Sequence, residues 1–317
     1  MQLYIIGNGF DLDLGIDSSY NSYYRSKQFK ILCERSPIAS FVNKLNEENS
    51  GENWVDFEEA IKQYCIDLLH KEDLSDLEKT IKFQNLRDFD CHFNEIRNSI
   101  SEFLIEETSK IDLSSLQKDK KSLIIVREII ERFHETSNKG GGLITENNHF
   151  KVITFNYTNS LKELINIEAK KIWTEDKLFI NNIQKLENNI IHIHGSLVNN
   201  DIILGIEDVP DIIPRETFFI RKSIFVDYSK FSLELMKKAN NVTIFGHSLG
   251  TSDEMYFKKL FNLWKQNASS YEKRKITIYH KKDPKQKVYY NNRILELIDY
   301  TTSEFKELNE YKFIEVN

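Results

Sequence analysis

Four times along this chain a short apolar run stops at a turn of polar residues, three times with glycine among them, and that recurring junction limits the fold more than any other feature. Leu3–Ile6 runs into Gly7-Asn8-Gly9-Phe10-Asp11, and Val152–Phe155 into Asn156-Tyr157-Thr158. Ile190–Ile193 runs into His194-Gly195-Ser196, and Val242–Phe245 into Gly246-His247-Ser248-Leu249-Gly250. Short apolar runs rich in β-branched residues suit strands buried on both faces, as in parallel sheets. Helical spacing follows the second junction near Ser160–Ile167 and the fourth at about Ser252–Gln266, and Ile276–Tyr279 reads as a last strand. Strands alternating with helices predict a doubly wound parallel α/β sheet. Ligands of such sheets sit beyond the carboxyl ends of the strands, where all four junctions fall. One shared cleft is the economical reading; four unrelated turns is the other.

Between the first strand and the second the pattern changes. Trp54, Phe57, Ile61, Tyr64 and Leu68 form one helical stripe, Phe93, Ile96, Ile100, Phe103 and Leu104 another, and Ile125, Ile129 and Phe133 a third. This predicts a helical insertion over 20–149 within a discontinuous nucleotide-binding domain made of 1–19 and 150–317. Only 11 of 317 residues are glycine, against a usual share of about 7%, so each glycine is informative. Gly140, Gly141 and Gly142 read as a flexible joint, Gly51 stands apart, and the Asn-rich Asn181–Asn189 reads as a loop.

Charge and cysteine usage narrow the function. A net charge of −6 gives no electrostatic reason to expect a nucleic-acid partner. Three widely spaced cysteines, Cys33, Cys65 and Cys91, suit a reducing cytoplasm and cannot build a four-cysteine zinc module. No apolar run nears the roughly 18 residues of a membrane helix. The first residues lack the basic start of a signal peptide, so a cytoplasmic protein is expected.

Three patterns carry chemistry. Gly7-x-Gly9 after a strand is the start of a phosphate-binding turn, although Leu12 stands where a dinucleotide fingerprint has its third glycine and a plain tight turn would need the same residues. His192 and His194 alternate along one strand, a spacing open to two metal ligands, but no third ligand is evident and no metal is expected. Gly246-His247-Ser248-Leu249-Gly250 also spells the Gly-x-Ser-x-Gly elbow of serine hydrolases. Only His280 follows Ser248 as a base, and Asp253 and Glu254 lie in the elbow's own helix, which weakens that alternative.

The opening Gly7-Asn8-Gly9-Phe10-Asp11 with Gly15 and Tyr20 resembles the start of the AbiH family of bacterial abortive-infection proteins, and more distantly the Gly-Ala-Gly opening of sirtuins. Phe155-Asn156-Tyr157-Thr158 is similar to the AbiH Phe-Asn-Tyr-Thr and to the sirtuin Thr-Gln-Asn. His194-Gly195 resembles the His-Gly of sirtuins, Gly246-His247-Ser248 their Gly-Thr-Ser turn, and the continuation to Asp253 an AbiH element. Asn53–Glu59, with Glu58, and Leu204–Asp208, with Gly205, are similar to further AbiH elements.

The resemblance implies a sirtuin-like Rossmann fold with a large helical insertion, acting in phage defence, with NAD as substrate or ligand. It casts Asn156 and His194 as catalytic, Asn156 orienting water or ribose and His194 accepting a proton. Gly7, Asn8, Gly9, Phe10, Asp11, Tyr20, Gly195, Gly246, His247, Ser248 and Asp253 become contacts to the dinucleotide, with Glu58 and Gly205 as outlying candidates. Asp11 departs from the sirtuin serine; a carboxylate repels phosphates, so it faces a ribose or caps the first helix. Glu58 has the competing reading of an exposed carboxylate favouring a helix N-terminus, and Tyr20 that of a core aromatic. Without a Cys-x-x-Cys pair, sirtuin-type deacylation is not expected. A non-catalytic nucleotide sensor is the second class of reading, with a phage-derived trigger or a second defence protein as partner and a homo-oligomer left open.

Overall fold

The computed structural model describes residues 1–48, 57–69, 76–117, 119–138, 150–172, 183–205, 234–266, 273–281, 283–299 and 301–316. Gly51, residues 53–56, the glycine joint 140–142 and residues 206–208 lie outside them. In chain order the helices are α1 (Gly9–Leu14), α2 (Tyr20–Arg25), α3 (Lys27–Cys33), α4 (Pro37–Glu48), α5 (Phe57–Leu69), α6 (Asp76–Ser109), α7 (Lys121–Asn138), α8 (Ser160–Ile172), α9 (Glu254–Gln266), α10 (Pro284–Leu297) and α11 (Thr302–Leu308). The strands are β1 (Gln2–Ile6), β2 (Phe150–Thr154), β3 (Ile190–His192), β4 (Asn241–Phe245), β5 (Arg274–Lys281) and β6 (Asn309–Val316).

Every strand pair is parallel, and the order is β3-β2-β1-β4-β5-β6. β1 lies at the centre because it is apolar on both sides. Tyr4 and Ile6 join Phe150 and Val152 under α1, α7 and α8. Leu3 and Ile5 join Ile153, Val242, Ile244, Ile276 and Ile278 under α9, α10 and α11. The winding reverses between β1 and β4, which makes their carboxyl ends the switch point where open parallel sheets bind ligands.

β6 is a strand that the apolar-run criterion misses. Tyr311 and Phe313 pack only partly on the core while Glu310 and Lys312 alternate outward, so this edge strand never forms a solid apolar run. Within the segment read as an Asn-rich loop, residues 183–187 are helical, and Ile183 and Leu186 are core.

The chain divides into two compact units. One, the sheet unit, comprises Met1–Ile16, Thr108–Asn200 and Tyr228–Asn317; the other comprises Asp17–Glu107 and Asp201–Asp227. The stretch 20–149 read as an insertion is thus divided, because α7 belongs to the sheet. Its apolar face, Ile125, Val126, Ile129, Ile130 and Phe133, is buried against Tyr4 and Phe150. Its first turn is capped from α1, where Asp13 Oδ2 accepts from the Ser122 N–H at 2.8 Å and the Ser122 hydroxyl at 2.7 Å. In the second unit Phe57 is fully buried among Tyr20, Tyr23, Tyr24 and Phe29. Among the described residues no helix is long and apolar enough to cross a membrane.

Candidate functional site

The four junctions stand level along one edge of the sheet. The Phe155 N–H donates to the Ile6 carbonyl at 2.8 Å, the Gly7 N–H to Phe245 at 2.9 Å, and the Ile193 N–H to Thr154 at 3.0 Å. Each bond extends a strand pairing by one step, so the turns begin side by side.

Glycine serves a different purpose here from the one the sequence suggests. Gly9 donates its N–H to the Gly246 carbonyl at 2.7 Å. With Gly7 bonded to Phe245, the two amides expected to cradle a phosphate are engaged by the β4 turn. A Cβ on Gly7 would stand 2.6 Å from His247 Cα, and one on Gly9 2.6 Å from Gly246 Cα. The three glycines let two turns interlock backbone to backbone. Phe10, expected to touch the ligand, has no exposed surface and packs edge-on against Phe245 in the core.

Asp11 also turns inward. Its carboxylate accepts from the Thr158 hydroxyl at 2.7 Å and from the Ser160 hydroxyl, tying α1 to the start of α8. Burial pushes its pKa above the ordinary carboxylate range, while the Ser160 and Thr158 hydroxyls and the Asn156 amide pull the other way. A folded state that holds this proton more tightly than the unfolded chain loses stability as pH rises from the ordinary carboxylate value, about 4, through the folded value. Asp11→Asn keeps the shape and removes the titration. Its melting temperature is expected to vary less over that window than the wild type's, which thermal denaturation at stepped pH would check.

Asn156 is 5% exposed, and neither its amide nitrogen nor its amide oxygen finds a hydrogen-bond partner among the described residues. The amide lies close enough to Asp11 to hold that carboxyl's pKa down, without a hydrogen bond of good geometry between them. An unpaired buried polar group costs about 1–3 kcal/mol, so an empty donor and acceptor at a switch point invite a ligand. Beside it, the Asn156 carbonyl lies 3.0 Å from His192 Nδ1.

His194 and His247 converge on one carboxylate. Asp253 Oδ1 lies 3.1 Å from His194 Nε2, and Oδ2 lies 3.3 Å from His247 Nε2. The Leu249 N–H donates to His247 Nδ1 at 2.9 Å, which places the proton of that neutral imidazole on Nε2, facing Asp253. His247 therefore presents its Nε2–H side to Asp253. Phe155 stands between the imidazoles, 5.2 Å from the His194 ring and 4.3 Å from that of His247, and Tyr256 and Phe257 close the wall behind it. An aromatic wall lowers the local dielectric and strengthens the carboxylate–imidazole attraction.

The sequence reading overlooked what holds the β4 turn. Three successive carbonyls accept from α10: His247 from the Tyr290 hydroxyl at 3.0 Å, Ser248 from the Tyr289 hydroxyl at 2.9 Å and Leu249 from Arg293 Nε at 2.7 Å. Burial, then Tyr289, pushes the Tyr290 pKa up to about 12, so it stays a donor. Leu249 is fully buried at φ 57°, a left-handed conformation that costs a side-chain-bearing residue about 1–2 kcal/mol. Tyr289 and Arg293 share the i, i+4 spacing of one helix face; nothing in the sequence says what that face grips.

The remaining candidates are placed as follows. Asn8 is exposed at the start of α1, Ser248 is exposed, and Gly195 turns at φ 73° after His194. The Ser248 hydroxyl has no hydrogen-bond partner among the described residues, so no base activates it there; two strands, not one, follow its turn. In the second unit Tyr20 stacks on Phe57 at 5.3 Å. Glu58, expected to be exposed in its bland reading, is 5% exposed, and its Oε1 accepts from the Gly205 N–H at 3.3 Å. The two outlying candidates thus meet each other.

This edge offers a carboxylate-oriented imidazole, an unpaired amide and an aromatic wall, a set able to bind a polar ligand and move one proton. Searches of curated proteins and of solved structures return no match. The family described as Bacteriophage abortive infection AbiH matches residues 3–277. With a match over most of its length, the chain belongs to the AbiH family, and its role lies in bacteriophage abortive infection.

Proposed function

We propose that this edge binds a nucleotide, NAD in the first instance, and that the protein hydrolyses the nicotinamide–ribose bond during abortive infection. The observation that carries the reading is the Asn156 amide, buried with both polar atoms unpaired beside the His194–Asp253 pair. A ribose hydroxyl or the nicotinamide carboxamide supplies the donor and acceptor it lacks. The strand order lends support, since 3-2-1-4-5-6 is that of dinucleotide-binding Rossmann sheets, the arrangement a sirtuin-like fold requires. These residues fit the ribose end of such a ligand. Its phosphates fall to the exposed side of the edge, near Asn8 and Ser248, because the Gly7 and Gly9 amides are engaged.

His194 Nε2 faces Asp253 Oδ1 at 3.1 Å, and with the proton held on that side the imidazole lone pair is on Nδ1. His194 takes a proton from water as the water oxygen bonds to the ribose C1′. The C1′–N bond breaks, and its electron pair neutralises the pyridinium nitrogen of the departing nicotinamide. One water is consumed, and ADP-ribose and a proton are released. Because the leaving group departs neutral, the residues need only orient sugar and water and accept that proton.

In infected cells carrying the wild-type protein, NAD is expected to fall, while Asn156→Ala and His194→Ala keep NAD level and lose defence. Mass-spectrometric NAD measurement alongside plaque counts checks this; steady NAD with intact defence sinks hydrolysis. The engaged glycine amides favour a second reading, a nucleotide sensor without turnover. Both substitutions would then weaken nucleotide binding in calorimetry, and no ADP-ribose would form.

A further inference from the structure

We propose that Arg293 is a positioning residue that sets the His194–Asp253–His247 geometry from outside the site; this rests on reading His194–Asp253 as the working pair. Asp253 lies at the end of a short turn. The turn enters at Leu249, left-handed and fully buried, passes through the 3-10 segment Thr251–Asp253 and leaves at Glu254, the first residue of α9. Arg293 grips both ends. Its Nε donates to the Leu249 carbonyl at 2.7 Å, and its Nη2 lies 2.6 Å from Glu254 Oε2. The third arm, Nη1, reaches Glu296 on its own helix at 2.7 Å. The side chain is 11% exposed, so solvent does little to weaken the grip.

The entry grip and the histidine share a residue. Leu249 gives its carbonyl to Arg293 and its N–H to His247 Nδ1. That N–H holds His247 in the Nε2–H form, which presents its proton toward Asp253 Oδ2, 3.3 Å away. Releasing the Leu249 carbonyl frees the left-handed residue to relax, and the N–H that fixes the tautomer moves with it. The exit grip fixes Glu254, the residue next to Asp253. A planar fork spans two acceptors at set angles; an ammonium reaches one or the other.

The test reads the imidazole tautomers by nitrogen NMR in Arg293→Lys, Arg293→Gln and, as a control, Glu296→Gln, with melting curves for all. In the wild type and in Glu296→Gln, His247 is expected wholly in the Nε2–H form. In Arg293→Lys and Arg293→Gln a mixture of tautomers is expected. A folded Arg293→Lys protein with His247 unchanged overturns the proposal. If Arg293→Gln fails to fold, Arg293→Lys decides; if Arg293→Lys also fails to fold, the residue is a fold requirement and the proposal falls. None of these readouts needs NAD cleavage, so they stand if hydrolysis fails. Should hydrolysis hold, Arg293→Lys is expected to lower kcat at least tenfold with KM within twofold.

Discussion

Gly246→Ala is expected to destabilise the sheet unit by about 3–4 kcal/mol, combining the cost of overpacking a rigid site with that of a left-handed side chain. The new Cβ would stand 2.6 Å from Phe10 N and 2.7 Å from the Gly9 carbonyl carbon, at φ 67°. Those are main-chain atoms and cannot swing aside. Relief requires the two turns to part, and parting breaks the Gly9 N–H bond to the Gly246 carbonyl. A domain of ordinary stability, about 5–15 kcal/mol, would lose a large share of it. Gly250→Ala is the matched control: its Cβ meets only Ser248 Oγ at 3.3 Å, and its φ is −62°. Urea denaturation of the pair separates them, and a Gly246→Ala protein as stable as Gly250→Ala would contradict the interlock.

The second large effect concerns function rather than folding. Asp253→Asn is expected to leave the fold intact and to abolish the proposed NAD cleavage and, with it, defence. His247 must present Nε2–H, because Leu249 occupies its Nδ1, so the asparagine oxygen turns to His247. The asparagine NH₂ then faces His194 Nε2, which must accept, and the proton of His194 moves to Nδ1. In the proposed mechanism, the lone pair that takes the proton of water is lost. In serine proteases, the same carboxylate-to-amide change on a catalytic histidine lowers turnover about 10⁴-fold. Single-turnover cleavage assays on matched, folded protein would measure the loss; activity within tenfold of wild type would remove His194 from the proton path.

The sheet was legible because burial on both faces writes itself as continuous apolar runs, and β1, β2, β3 and β4 fall within a residue or two of those runs. The level edge followed from parallel winding alone. What the turns do with their amides was not legible. Gly7-x-Gly9 reads the same whether its N–H groups meet an anion or the carbonyls of Phe245 and Gly246, since main-chain donors leave no mark on side-chain identity. Phe10 shows the converse: a residue inside a motif, placed by its register in the core. The Tyr289, Tyr290 and Arg293 clasp was hidden because its acceptors are carbonyls some forty residues away. β6 was missed because an edge strand alternates, and a search for solid apolar runs passes over it.

The central place of β1 has a consequence for synthesis. Its partners are Phe150 onward on one side and Asn241 onward on the other, against Gln2 at its own start. At translation rates of about 5–20 residues per second, β1 leaves the ribosome roughly 10–50 seconds before β4 can pair with it. Until then a largely apolar segment waits in a nascent chain with one flank bare. The central strand of this chain therefore gains its second partner only after residues 241–245 have been made.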